Sequence, residues 1–289
     1  MAKVEEEVST AAQNAGADNA DVLARYTGPP VPAPRHQGHF LVRFWRSAVG
    51  KKWVMAVTGI MLLGFVLAHM IGNWKVFLGK EHLNVYGEWL RDFGEPAFPR
   101  SFLLWVLRIG LIGAFFGHIV AAYQLTRMNM KARPTKYQSR RDYIAANFAS
   151  RTMRWTGIIV ALFIIFHLAD LTWGPANPDF VRGDPYDNLF NSFERVPVAI
   201  IYIVCMLALG FHIFHGAWSM FQTLGWNNPR FNAARRWFAG GFAGVVLIGN
   251  LSFPIMVQAK VISDDHRTTE CAVHNGVETT KCLPDGSES

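Results

Sequence analysis

Charge is what this chain has least of. Of its 289 residues only 17% are Asp, Glu, Lys or Arg, 51% are hydrophobic, and mean hydropathy is positive. A soluble domain carries about a quarter charged residues, so the composition excludes an ordinary water-soluble fold and selects a membrane protein. Cysteine is scarce as well. Cys205, Cys271 and Cys282 show no CxxC or other close spacing, which argues against a zinc ribbon or a disulfide scaffold. The N-terminal stretch lacks the apolar core and cleavage site of a signal peptide. No convincing internal repeat is evident, which argues against a carrier built from inverted repeats. The net charge of +7 does not point to nucleic acid, because the basic residues cluster between apolar stretches.

What is present is five long apolar stretches, roughly Trp53–Phe77, Phe102–Arg127, Met153–Trp173, Val196–Leu224 and Trp237–Ala259. Each is long enough to cross about 30 Å of hydrocarbon as a helix. The expected fold is an all-α integral membrane bundle of five transmembrane helices. Loop charge sets its direction. Arg43, Arg46, Lys51 and Lys52 precede the first span. Lys131, Arg133, Lys136, Arg140, Arg141 and Arg151 separate the second from the third, and Arg230, Arg235 and Arg236 the fourth from the fifth. The alternate loops are acidic, with Glu81, Glu88, Asp92 and Glu95 in one and Asp179, Asp184, Asp187 and Glu194 in the other. The positive-inside rule then predicts a cytoplasmic N-terminus and an exterior C-terminus. Residues 1–38, acidic and then proline-rich, read as a disordered cytoplasmic tail. Residues 39–260 read as the membrane domain and 261–289 as an exterior tail, where Cys271 and Cys282 could form a disulfide. Cys205 reads as a buried packing residue.

Four histidines, His69, His118, His167 and His215, fall one apiece in four of the spans. Ionisable residues inside a bilayer are costly and point to function. At about 1.5 Å of rise per residue, His69 lies about 24 Å and His167 about 21 Å from the cytoplasmic ends of their spans. His118 and His215 both lie about 14 Å from it. The expectation is two pairs, His69 with His167 in the outer half and His118 with His215 in the inner half. Paired imidazoles from facing helices suit axial ligation of haem iron. His212, one turn from His215, is the rival for the last place or its hydrogen-bond partner. The remaining histidines, His36, His39, His82, His266 and His274, lie in loops or tails. Gly64, Gly72, Gly117 and Gly216 would let a flat macrocycle approach the backbone or serve ordinary helix contact. Arg108 could meet a haem propionate or a quinone carbonyl, or snorkel to the interface. Trp74, Tyr86, Glu88 and Arg108 are the quinone candidates near the outer side, and no catalytic residue is assigned.

The segments VGKKWVMAVTGIMLLGFVLAHMIGN, GHIVAAYQL, RTMRWTG with IIFHLADLTWG, and HIFHGAWSMFQTLG carry a family resemblance. Over roughly Phe44 to Gln258 the chain resembles the single-chain, five-helix cytochrome b membrane anchors of bacterial succinate dehydrogenase and fumarate reductase, most closely the actinobacterial forms. The resemblance implies two b haems, held by His69 with His167 and by His118 with His215, the histidine before Gly216 matching the family ligand. It implies flavoprotein and iron–sulfur subunits docked on the cytoplasmic face of a bacterial plasma membrane. It implies transfer of electrons from succinate to a quinone, menaquinone in a Gram-positive type, as the quinone-reducing part of the enzyme. Fumarate reduction would use the same parts in reverse. A related branch implies a Rieske-like [2Fe–2S] cluster in place of haem, which needs two Cys and two His.

Overall fold

The computed structural model describes residues 39–132, 146–226 and 228–262, with 146–151 described by their backbone alone. Several sequence expectations fall outside the described residues. They are the tail at 1–38, the side chains of Arg133, Lys136, Arg140, Arg141 and Arg151 in the basic loop, and the pairing of Cys271 with Cys282. The chain divides into two compact units, 1–45 and 46–289. In the first, the described residues run into helix α1 (Phe40–Arg46), where the rings of Phe40 and Phe44 stack.

The second unit is built of helices. In chain order they are α2 (Ala48–Asn73), α3 (Lys80–Asp92), α4 (Phe102–Ala132), α5 (Ala146–Leu168), α6 (Pro185–Glu194), α7 (Val196–Thr223) and α8 (Asn232–Gln258). No strand occurs among the described residues. Five stretches are long and apolar enough to cross a bilayer: Ala48–Leu78, Phe102–Ala132, Thr152–Trp173, Val196–Thr223 and Pro229–Gln258. The five expected spans are therefore present in an all-α, multi-pass membrane protein. Several helices start earlier than hydropathy suggests. Lys51 and Lys52 lie inside α2, and Arg235 and Arg236 inside α8, because apolarity marks the hydrocarbon and not the end of the backbone ladder.

Helix α2 packs on α4, α5 on α7, and α7 on both α2 and α8. Their outward faces are apolar and open to lipid, as at Ile109, Phe116, Leu162, Ile165, Phe211 and Ile248. The main apolar cluster gathers where α2, α5, α7 and α8 meet the two short helices, around Met70, Leu83, Phe163, Leu189, Phe193, Tyr202 and Phe253. The short helices α3 and α6 lie where sequence reading placed only loops. Asp184 starts α6 by accepting from the Asp187 amide at 3.0 Å, with Pro185 in the first turn, an arrangement suited to helix entry. Lys80 at the start of α3 bridges Asp184 at 2.8 Å and Asp187 at 2.6 Å. Asn84 adds a bond to Asp184 at 3.0 Å and accepts from the Tyr186 amide at 3.3 Å. Two helices with little core of their own are thereby clamped over one end of the bundle.

Candidate functional site

Two pairs of imidazoles face each other inside the bundle. His69 on α2 and His167 on α5 have ring centroids 5.9 Å apart, nearly perpendicular at 86°. His118 on α4 and His212 on α7 have centroids 6.4 Å apart at 67°. Two imidazoles that hold one metal ion from opposite sides, each through a bond of about 2 Å, have centroids roughly 6 Å apart. Both pairs match that spacing.

Local sequence positions each ring. A hydroxyl has one hydrogen. Thr58 gives its hydrogen to the α2 carbonyl of Val54 at 2.7 Å, so at 3.2 Å from His118 Nδ1 its oxygen can only accept. Thr156 repeats this on α5, donating to Thr152 O at 2.9 Å and lying 3.3 Å from His212 Nδ1. In both rings Nδ1 therefore carries the hydrogen and Nε2 keeps its lone pair, as metal-ligating histidines are held in general. The glycine after each threonine makes room. A Cβ at Gly59 would stand 3.5 Å from the His118 ring, and one at Gly157 3.4 Å from the His212 ring.

The other pair is held differently. Phe65 stacks on His69 at 5.3 Å and Phe163 lies beside His167 at 5.7 Å. The Tyr202 hydroxyl is 3.5 Å from His167 Nδ1 and donates to Asp170 Oδ2 at 2.9 Å. The Asn73 side-chain nitrogen lies 3.1 Å from His69 Nε2, so coordination through that nitrogen requires Asn73 to turn aside. His118 packs against the Gly59 position, ten residues before His69, and His212 against Gly157, ten before His167. At about 1.5 Å per residue the two pairs are stacked roughly 15 Å apart along the bundle.

The ring that faces His118 is that of His212, one turn from the expected partner His215. His215 contacts Phe214, and its Nδ1 is buried without a hydrogen-bond partner, as is Trp218 Nε1. Helical depth alone does not separate two histidines on one face of α7. The α5 threonine and glycine do. An internal repeat links α2 and α5, contrary to the expectation of none. Met55, Thr58, Gly59, Ile60, Phe65 and His69 recur at identical spacing as Met153, Thr156, Gly157, Ile158, Phe163 and His167. The same offset of 98 residues carries His118 to position 216, so the repeat does not by itself choose between His212 and His215.

Residues 132–249 match the model of a protein family described as the succinate dehydrogenase/fumarate reductase transmembrane subunit. Over that stretch the chain is similar to the family's transmembrane subunit. No curated protein and no solved structure matches it. The matched region holds His167, His212 and His215 and spans α5, α6, α7 and most of α8. With five helices long and apolar enough to cross a bilayer, the chain is a multi-pass membrane protein, and over residues 132–249 it is similar to that subunit.

The remaining candidates separate clearly. Arg108 lies exposed on α4, 5.1 Å from the Trp105 ring, and lines a cavity of about 260 Å³ with Gly87, Leu90, Leu104, Leu171 and Asn188. Trp74 bonds to Gly249 O at 3.3 Å, and Glu88 is ion-paired with Arg91 and Arg100. Tyr86 packs on Gly72, where a Cβ would stand 2.7 Å from its hydroxyl. None of these three lines the cavity. Among the glycines, Gly64 and Gly216 have no neighbour within 4 Å that a Cβ would meet, while Gly117 touches Thr58. Cys205 packs against the main apolar cluster. Among the described residues no three His, Cys, Asp or Glu side chains gather as a metal cluster.

Proposed function

We propose that this chain anchors a succinate:quinone oxidoreductase in a bacterial plasma membrane and conducts electrons between its iron–sulfur subunit and a quinone through two bis-histidine b haems. The single observation that carries the reading is the pair of facing imidazoles, repeated twice at the spacing a hexacoordinate metal needs. His69 and His167 would hold one haem. On the second site the reading takes His212 with His118 in place of His215. Bound haem supplies a one-electron carrier. The chain's own residues do the rest. Thr58 and Thr156 hold the Nδ1 hydrogens of the second pair, Tyr202 does so for His167, and the apolar helices exclude water.

The basic loops support a cytoplasmic docking face for flavoprotein and iron–sulfur partners. The end carrying α3 and α6 then lies outside. The cavity beside Arg108 is the reading's quinone site, with menaquinone as the acceptor and Arg108 as a donor to its carbonyl or to a propionate. Succinate oxidation is the proposed direction, and fumarate reduction would employ the same residues.

Reduced-minus-oxidised spectra of the complex purified from membranes test this. Two b-type components are expected in the wild type. His69→Ala or His167→Ala should abolish one, and His118→Ala or His212→Ala the other, with His215→Ala retaining both. Loss of a component in His215→Ala with His212→Ala intact would restore the pairing expected from sequence. A haem-free complex with an iron–sulfur signal from the membrane subunit would sink the haem reading in favour of a Rieske-like cluster using Cys205 and the tail cysteines.

A further inference from the structure

One buried charge has no place in the scheme so far. Asp170 is fully buried, 0% exposed, in the π-helical turn Ala169–Trp173 that ends the α5 span. Such turns are rare and recur at functional sites. Three groups from other parts of the chain converge on it. Ser192 of α6 and Tyr202 of α7 both reach Oδ2, the tyrosine at 2.9 Å. Arg195 pairs with Oδ1 at 2.6 Å and donates again to Ala176 O at 2.9 Å. A buried ion pair is weak evidence for stability, because desolvation offsets the attraction. Its placement calls for another account.

We infer that Asp170, acting through Tyr202, is a positioning residue that tunes the metal-donating strength of His167 and so the reduction potential at that site alone. This rests on the bis-histidine reading above. The argument is a count of hydrogens. A carboxylate paired with Arg195 only accepts, so the single Tyr202 hydrogen goes to Asp170. The phenol oxygen is left to accept from His167 Nδ1–H, 3.5 Å away. A carboxylate bonded to a ligating histidine raises its basicity, and here a tyrosine stands between the two. Polarised by the anion, Tyr202 pulls on the Nδ1 hydrogen and makes Nε2 the stronger donor, which favours the oxidised metal. The second pair has nothing equivalent, since Thr58 and Thr156 spend their hydrogens on neutral backbone carbonyls.

Redox titration of the purified complex at the b-haem absorption band tests this. Tyr202→Phe keeps the aromatic packing with Phe163, Phe166 and Phe193 and removes only the hydroxyl. One b component should titrate higher, with the reduced-to-oxidised ratio at fixed potential rising about tenfold, ~59 mV for one electron. The other should stay in place. Asp170→Asn should shift the same component in the same direction, and the double variant no further than the larger single shift. If Asp170→Asn fails to assemble, Tyr202→Phe decides alone. A haem-bearing Tyr202→Phe complex whose ratios stay within twofold of wild type overturns the inference and leaves the haem reading standing. A haem-free wild type overturns both.

Discussion

Each imidazole of the second pair has its hydrogen assigned by a threonine that is already committed to its own helix. That makes the threonine hydroxyl, and not merely its bulk, the functional feature. Thr58→Val and Thr156→Val keep shape and lose the acceptor for Nδ1. Loss of such a supporting bond typically weakens metal affinity about 10- to 100-fold. Each variant should therefore give a complex depleted in one b haem, quantified by haem-to-protein ratio after detergent washing, with the His69/His167 component unchanged. Equal retention of both haems would show that the threonines only pack. The threonines and glycines were visible in the sequence, but their role was not. A Thr-Gly step within an apolar run reads as helix packing until the facing helix is known.

At the scale of elements, the two short helices are held by an ionic clamp. Burial alone would push the Asp184 carboxyl upward, but Lys80, the Asp187 amide and Asn84 hold it below its ordinary 3.8. Burial works downward on Lys80, yet its bonds to Asp184 and Asp187 outweigh this and raise it above 10.5. The signs then follow. The carboxyl with a depressed value stabilises the fold above its unfolded value and loses that contribution as pH falls through and below about 4. The raised lysine contributes fully below 10.5 and loses its contribution as pH climbs beyond it. The clamp is whole between these limits. Lys80→Met should lower stability by on the order of 1 kcal/mol at pH 7. In thermal unfolding the gap from wild type should narrow at pH 3; a gap unchanged at pH 3 would contradict the ionic account. The helices themselves escaped sequence reading because they are short and polar on one side. An acidic connector of that length between spans looks like a loop until its caps and partners are in place.

For the whole molecule, loop charge predicts an inside and an outside. The end bearing α3 and α6 should face the exterior, and the α7–α8 connection the cytoplasm. In intact cells carrying single introduced cysteines, a membrane-impermeant maleimide should label Arg182→Cys and not Asn228→Cys. The reverse pattern would invert the topology and with it the docking face. The three native cysteines require an otherwise cysteine-free background for this measurement.

The number of spans, their apolar lengths and the presence of a histidine in each of four were determined by the sequence itself. Hydrocarbon thickness and the cost of burying charge act on composition and length, which need no partner to be read. Which imidazole faces His118 was decided by tertiary structure. His212 and His215 lie one turn apart on the same helix, so depth and periodicity treat them nearly alike. Only the close approach of α5, bringing Thr156 and Gly157 against the His212 ring, separates them. The same holds for Asp170. In sequence it is an acidic residue near a helix end, and only the convergence of α5, α6 and α7 turns it into a buried anion one hydroxyl away from His167.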